Sequence, residues 1–345
     1  MKKLFTILAV AATLVSCAKE DVVREAAREA IGFDNAFVEN STRSVNDPSL
    51  TAATLNDFAV YGFVEGATLF DGVKVGKDVT NNDLESVWKY EGTQYWIAGA
   101  KYNFNAVAPL TDGGWTKTEA TKDATTLSFT NNGTTDLLYA YAAQEGKVSG
   151  NTAVAFTFRH TLSKVKFSFE NAYNATNATI RVKNVKIVDA YKTGSVVLTG
   201  ATAWSNQAKA DGFVLDFGMA TDDQTTDTKE NVEVAFAYGK TYESQNELFM
   251  IPGAGTTSFT VKNGETTTQK TGYTIKFDVE LLVSGTVVMS YPHTIYTDFA
   301  PVAGNSYDLK ATINAENIDP NHAQEPIEFT VNTLPDWGTT NNQDI

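Results

Sequence analysis

A single cysteine, Cys17, is the only thiol in this chain of 345 residues. One cysteine excludes an internal disulfide, and one thiolate is too few for a cysteine-based zinc site. The three histidines, at 160, 293 and 322, lie far apart, and none has a second histidine or a cysteine at metal-ligand spacing. We therefore expect no metal site and no cofactor.

Basic clusters are also missing. The formal net charge is −14, with 27 Lys and Arg against 41 Asp and Glu, and no run of five basic residues occurs. Such a chain has nothing with which to neutralise phosphate groups, so the composition excludes a nucleic-acid partner. No apolar run reaches the roughly 20 residues that a membrane-spanning helix needs.

Catalytic patterns are equally scarce. Neither G-x-S-x-G nor H-E-x-x-H occurs. Asp222 and Asp223 are adjacent in a Thr-rich stretch, whereas paired carboxylates catalyse glycoside hydrolysis only when a cleft holds them opposite each other. The sequence predicts a protein that is not an enzyme.

The chain is rich in segments in which apolar and polar residues alternate. This period of two predicts strands with one buried and one solvated face. The clearest segments are "KYNFNAV" (101–107), "KVKFSFE" (164–170), "NVEVAFAYG" (231–239) and "TIKFDVELLV" (274–283). Clusters of Gly, Asn, Thr and Asp separate them. We predict an all-β protein with two tandem β-sandwich domains, residues 44–160 and 161–345, because about 330 residues exceed the usual size of one core.

The N-terminus carries an export signal. Lys2 and Lys3 precede the apolar segment 4–15, and Leu14-Val15-Ser16-Cys17 resembles a bacterial lipobox. Residues 1–16 would then be a lipoprotein signal peptide, and Cys17 would carry acyl groups such as palmitate that anchor the protein in the outer membrane. The alternative is a cysteine close to a general secretory cleavage site. Residues 18–21, "AKED", resemble the surface-export signal of Bacteroidetes lipoproteins.

Several further segments resemble the fimbrillin family, the type V pilus subunits of Bacteroidetes. They are "RHTLSKVKFSFEN" (159–171), "ELFMIPG" (247–253), "PVAGNSYDLKATI" (301–313) and "PIEFTVNTLPDWG" (326–338). The resemblance implies transthyretin-like, Greek-key sandwich domains and a structural role in a cell-surface fimbria. Implied partners are other pilus subunits, in a homo- or heteropolymer, and a host or bacterial surface ligand for adhesion. Gly253 departs from the glutamine that the family often has there.

The resemblance also implies an assembly mechanism. An arginine-specific protease cuts such subunits near the N-terminus, and a strand of another subunit replaces the strand that is lost. Here the segment 17–43 would be a tether and first strand, with Ile31, Phe33 and Phe37 on the replaced strand and cleavage between Arg43 and Ser44. The alternative is that Arg43 is an ordinary loop residue that is never cut.

The C-terminus supplies a candidate donor strand within residues 325–337. Ile327, Phe329 and Val331 alternate there with polar residues, as an inserted strand requires. The same segment can equally be an integral edge strand of the second domain. A second function fits the chain as a whole, namely a surface glycan-binding lipoprotein with tandem sandwich domains, which clustered surface Trp and Tyr would favour.

Overall fold

The computed structural model describes residues 29–38, 49–51, 53–77, 88–199, 202–221, 234–263, 266–318 and 327–334. Cys17, Arg43 and Ser44, on which the lipidation and cleavage predictions depend, lie outside these ranges, as do His322, Asp222 and Asp223. Within the described ranges, no helix is long and apolar enough to cross a membrane.

The described chain is almost entirely β-structure, which confirms the predicted class. The first nine strands are β1 (Phe33–Val38), β2 (Asp57–Val64), β3 (Ala67–Lys77), β4 (Trp88–Tyr90), β5 (Lys101–Ala108), β6 (Trp115–Ala120), β7 (Thr125–Thr130), β8 (Leu138–Glu145) and β9 (Val154–His160). The next six are β10 (Ser163–Asn171), β11 (Ala178–Ile187), β12 (Thr193–Leu198), β13 (Thr202–Ala208), β14 (Leu215–Gly218) and β15 (Ala220–Thr221). The remainder are β16 (Thr241–Ser244), β17 (Leu248–Met250), β18 (Thr257–Asn263), β19 (Thr266–Val283), β20 (Thr286–Thr297), β21 (Ser306–Ile313), the helix α1 (Ala315–Ile318) and β22 (Phe329–Leu334).

Seven of the first nine strands form a closed barrel in the order β1-β4-β3-β2-β5-β8-β9, where the sequence had predicted a sandwich. Closure depends on β1, which pairs with β4 on one side and runs parallel to β9 on the other. Register shifts at Val60/Tyr61 and Gly62/Phe63 interrupt the β2–β3 ladder, and such bulges increase strand bending and twist. Alternation along a strand does not reveal whether the sheet closes, so this feature could not be read from the sequence.

Aromatic side chains fill the barrel. Gly62 permits this packing, because a Cβ atom at that position would lie 2.5 Å from Cδ2 of Phe70 and 3.0 Å from Cδ1 of Phe104. The side chains inside the barrel form one apolar cluster, and a larger cluster combines the buried residues of the second half with other buried residues of the barrel strands, such as Ala59, Phe63 and Val107.

The second half contains two further sheets. One has the order β15-β16-β10-β21-β22, with β17 also on β10, and the other has the order β14-β11-β19-β18, with β20 also on β19. Their facing residues share one core, to which Phe167, Phe169 and Phe277 contribute. Within the described residues, β22 pairs only with β21 and so forms one edge of its sheet.

A fourth sheet joins the two halves of the chain. It has the order β13-β12-β7-β6, so the β6–β7 hairpin of the first half pairs with strands of the second half. Phe129 of β7 is fully buried in the core of the second half and lies 5.8 Å from Trp204 between ring centroids. The halves are therefore linked by a shared sheet as well as by the chain between β9 and β10.

Candidate functional site at the first strand

Strand β1 buries its apolar side chains in the barrel core. Ile31, just before the strand, is 1% exposed, Phe33 is 3% exposed, and Val38 is 2% exposed. Each such side chain contributes roughly 1.5–3 kcal/mol when fully buried. Residues 31–38 are therefore an integral part of the folded barrel.

Phe33 lies at the centre of the aromatic cluster. Its ring centroid is 5.4–6.5 Å from those of five other rings, stacked on one and edge-on to the rest; these belong to Phe58, Phe70, Tyr90, Phe104 and Phe156. Edge-to-face and offset contacts at this separation stabilise aromatic clusters beyond the effect of area burial. Removal of β1 would therefore open a pocket lined by these rings.

Backbone hydrogen bonds hold the start of β1 on both sides. The N–H of Ile31 donates to the carbonyl of Gln94 at 2.8 Å, and the N–H of Val154 donates to the carbonyl of Gly32 at 2.8 Å. The hydroxyl of Tyr90 donates to the carbonyl of Ile31 at 2.7 Å. Without β1, these partners on both walls would lose their pairing, and unpaired strand edges readily accept another strand.

The carboxylate of Glu29 fixes the chain where it enters the barrel. It accepts hydrogen bonds from the backbone N–H groups of Gly150 and Asn151, each at 2.7 Å, and from Nδ2 of Asn151 at 2.6 Å. Hydrogen bonds from the Asn151 and Gly150 N–H groups favour the charged form and so lower the pKa of Glu29 below its usual value of 4.5.

A second anchor follows β1. Ser49 is buried, and the N–H of Leu50 donates to Oδ2 of Asp136 at 2.9 Å. Nδ1 of His160 lies 2.9 Å from the same oxygen, and the side chains of Asp136 and His160 are 0% and 3% exposed. His160 is therefore a buried residue whose Nδ1 atom is paired with the carboxylate of Asp136. The ten residues 39–48, which contain Arg43, therefore run between two fixed points, Val38 and Ser49.

The predicted donor residues lie in and just before β22. Ile327 is 1% exposed, and Phe329 packs edge-on against Phe167 and Phe277 at 5.4 and 5.8 Å. Val331 is opposite Leu309 of β21, yet it is 39% exposed. In this structure the segment is an edge strand of the second half, and its alternate residues Glu328, Thr330 and Asn332 line a polar groove of about 800 Å³.

The structure thus places Phe33 and the backbone of Phe37 on β1, with Ile31 just before it, and places Phe329 and Val331 on β22, with Ile327 just before it. Sequence analysis missed Glu29, Asn151 and Asp136. Their partners are between 24 and 122 positions away in the chain, and no local pattern marks such contacts. Among the described residues, no three His, Cys, Asp or Glu side chains are grouped so that they could hold a metal ion.

The two described arginines bear on where a protease could cut, and the four described tryptophans bear on the glycan-binding alternative. Arg159 and Arg181 lie within β9 and β11, both of which are paired. Trp88 and Trp96 are buried, and the indole N–H groups of the half-buried Trp115 and Trp204 each donate to a backbone carbonyl at 2.8 Å. The described tryptophans therefore form no exposed aromatic platform.

Comparison with known proteins identifies one family. The sequence model of the family described as fimbrillin-like matches residues 42–337. No curated protein matches the chain.

Similar solved structures share little sequence with the chain. A "putative cell adhesion protein" of Bacteroides uniformis is 16% identical, with a TM-score of 0.43, and the match covers 89% of this chain and 98% of that one. The fimbrial anchor protein Mfa2 of Porphyromonas gingivalis is 12% identical, with a TM-score of 0.35 and coverages of 88% and 97%. A Bacteroides thetaiotaomicron structure described as "putative polysaccharide binding proteins" is 11% identical, with a TM-score of 0.35 and coverages of 89% and 98%.

Proposed function

Because the chain belongs to the fimbrillin-like family, whose sequence model spans residues 42–337, we propose that it is a structural, non-enzymatic subunit of a cell-surface fimbria and contributes to adhesion. In this proposal it travels to the outer membrane as a lipoprotein attached through Cys17. Proteolysis after Arg43 then removes β1, and a strand from another subunit takes its place.

The observation that carries the proposal is the position of β1. This strand closes the barrel, buries Ile31, Phe33 and Val38, and ends five residues before Arg43. A cut after Arg43 would separate β1 from the rest of the barrel while leaving the second anchor, Ser49 and Leu50, in place. We call the space between β4 and β9 that β1 now fills the β1 slot.

The energetics favour refilling of the β1 slot. Its vacated walls would expose the rings around Phe33 and the unpaired backbone of β4 and β9. Strand addition to such an edge restores both the apolar burial and the backbone hydrogen bonds. The candidate donor is the segment of Ile327, Phe329 and Val331, whose strand is hydrogen-bonded to β21 alone among the described strands, and whose buried Ile327 and partly buried Phe329 would exchange one apolar site for another.

The distribution of arginine supports selective cleavage. The chain has five arginines, at positions 24, 28, 43, 159 and 181. Cuts at 24 or 28 would leave β1 attached, and positions 159 and 181 lie in paired strands, where a protease cannot bind the extended backbone it needs. Only a cut at 43 would release β1.

The test of cleavage uses an arginine-specific protease on the wild-type protein and on Arg43→Ala. The wild type should yield a product whose N-terminus is Ser44 and which forms denaturant-resistant multimers. Arg43→Ala should stay monomeric, and Arg24→Ala should behave as the wild type does. Multimers of Arg43→Ala at the wild-type level would disprove the cleavage mechanism.

Lipidation has its own test. Labelling of cells with an alkyne analogue of palmitate should mark the precursor of the wild type and leave Cys17→Ala unlabelled. Because Cys17 is the only cysteine, label on Cys17→Ala would show that acylation does not occur at a thiol. The glycan-binding alternative is not favoured by the described tryptophans; binding of the monomer to polysaccharide, without any multimers, would support it.

A further inference from the structure

Two neighbouring loops at one end of the barrel carry three exposed apolar side chains. Tyr95 is 43% exposed, Ile97 is 59% exposed, and Val148 is 76% exposed. They belong to two loops that are bonded to each other: the N–H of Gly99 donates to the carbonyl of Gly146 at 2.7 Å, and the N–H of Gly146 donates to the carbonyl of Ala100 at 2.9 Å. We call these three residues the rim patch.

The rim patch surrounds the point where the first strand enters the barrel. In the first loop, the N–H of Trp96 donates to the carbonyl of Glu29 at 3.0 Å. In the second loop, Gly150 and Asn151 bind the carboxylate of Glu29. A strand that replaced β1 with the same direction would therefore cross this rim with its N-terminal end.

The candidate donor repeats two of the three residues that occupy the start of the β1 slot. Ile31-Gly32-Phe33 occupies the slot now, and the donor reads Ile327-Glu328-Phe329. Only the middle residue differs. A Cβ atom at Gly32 would meet Cβ of Ala153 at 3.6 Å and no closer atom, which is an ordinary van der Waals contact, so this position accepts the Cβ atom of a residue such as Glu328.

The direction of β1, parallel to β9, also suits Val331 of the donor. β1 runs parallel to β9 with Phe33 opposite Val154, and Val154, Phe156 and Phe158 are the buried apolar residues of β9. A regular strand with Phe329 opposite Val154 places Val331 opposite Phe156, on the buried side. The apolar residues of the donor would therefore lie on the same buried face as the apolar residues of β9.

The short connection that precedes the donor limits where its own subunit can lie. Eight residues, 319–326, separate Ile318 of α1 from Ile327. Eight residues span at most about 30 Å when fully extended. A donor that enters at the rim thus holds Ile318, in the second half of its own subunit, within about 30 Å of the rim patch.

We propose that the rim patch is the docking surface for the second half of a neighbouring copy of this chain, whose residues 327–331 enter the β1 slot parallel to β9. This inference rests on the proposed strand exchange. It adds the direction and register of the donor and a contact outside the slot. Docking covers the three exposed apolar side chains, and a charge placed among them opposes docking because it loses its water without gaining a partner.

The experiment separates filling of the slot from docking at the rim. Subunits cut after Arg43 are prepared as the wild type, Val148→Asp, Ile97→Asp and the control Tyr141→Asp, which changes an exposed residue of the barrel wall that is 47% exposed. Each is mixed first with a synthetic peptide of residues 325–337, whose binding is measured by fluorescence anisotropy. Each is then left to multimerise alone, and the rate at which denaturant-resistant multimers form is measured.

The peptide lacks a subunit body, so we expect it to bind all four proteins with affinities within about twofold of one another. The rate of multimer formation should fall at least roughly tenfold in Val148→Asp and Ile97→Asp and stay unchanged in Tyr141→Asp. Peptide binding by all four with wild-type multimerisation of both rim variants would overturn the docking surface and leave strand exchange intact. Failure of the peptide to bind the cut wild type would overturn the proposed strand exchange, and with it the docking surface.

Discussion

Leu50 and Asp136 are 86 positions apart in the chain, yet the backbone N–H of Leu50 donates to Oδ2 of Asp136 at 2.9 Å. The contact fixes the chain just after the segment that carries Arg43. Glu29 fixes it just before β1, through Gly150 and Asn151. Polar contacts thus fix the chain at Glu29, before β1, and again at Leu50.

Loss of the second anchor should destabilise the barrel. Asp136→Ala removes the acceptor of the Leu50 N–H and the partner of His160 in a buried site, and buried unsatisfied groups each cost about 1–3 kcal/mol. We expect the free energy of unfolding of the uncut protein, measured in urea, to fall by about 2–4 kcal/mol. Asp136→Asn keeps a carbonyl oxygen and should lose less than half as much. Equal midpoints for Asp136→Ala and the wild type would contradict this role.

Truncation of Phe33 should be more damaging. Phe33→Ala leaves a cavity among five rings, and such a change in a core costs about 3–5 kcal/mol. Thermal or urea unfolding of the uncut protein measures the loss. Val148→Ala, at a residue that is 76% exposed, should change stability by less than about 0.5 kcal/mol. A similar small effect of Phe33→Ala would show that β1 adds little to the barrel.

Val331 can distinguish the donor role from the edge-strand role. The side chain is 39% exposed in its own sheet, so Val331→Asp should lower the stability of the monomer by less than about 1 kcal/mol. In the β1 slot the same side chain would face the barrel core, and the charge should prevent multimers from forming. Asn332→Asp adds an equal charge to a residue that would face outward, so it should multimerise as the wild type does. Normal multimers of Val331→Asp would indicate that this segment is only an edge strand.

Glu29 should make the attachment of β1 dependent on pH. Its pKa is lowered on folding below 4.5 by the N–H groups of Asn151 and Gly150. Its contribution to stability is therefore complete above the unfolded pKa and is lost as the pH falls through the lower, folded pKa. Glu29→Gln should be less stable than the wild type at pH 6, and the difference should shrink steadily below pH ~4.5.

Urea unfolding at several pH values measures this difference. Glu119→Gln, at an exposed position of β6, serves as the control and should track the wild type throughout. A difference between Glu29→Gln and the wild type that stayed constant down to pH ~3 would show that the ionised Glu29 does not hold the strand.

Local alternation was enough to locate β10 and β19, although the opposite face of β10 is also buried at Lys164 and Ser168. Val165, Phe167 and Phe169 are fully buried in β10, and Ile275, Phe277 and Val279 are likewise buried in β19. The burial of one face fixes the period of the sequence, and for that reason these elements could be found without partners. The predicted strand around Phe236 is wrong in its described part: Phe236 makes only an isolated bridge to Ile180, and Tyr238 is in a turn and 56% exposed.

Partners distant in the chain could not be predicted. The N–H of Gly239 donates to the carbonyl of Asn171, and Nδ2 of Asn171 donates to the carbonyl of Phe236. These contacts with β10 hold residues 236–239 in a turn, where the alternation had predicted an extended strand. Closure of the barrel likewise depends on the parallel contact of β1 with β9, more than 100 positions later. The sequence was enough to predict that Ile31 and Phe33 belong to the candidate site. It could not predict that they lie in a slot between β4 and β9.

The sheet that the two halves share also has a mechanical consequence. Residues 125–130 of β7 belong to the first half, and they pair along their whole length with residues 193–198 of β12 in the second half. A pulling force that separates the halves must break this ladder, whose hydrogen bonds act together. In the proposed fibre, each subunit would therefore resist tension as one stiff block, and stretching under fluid flow would be concentrated at the junctions between subunits.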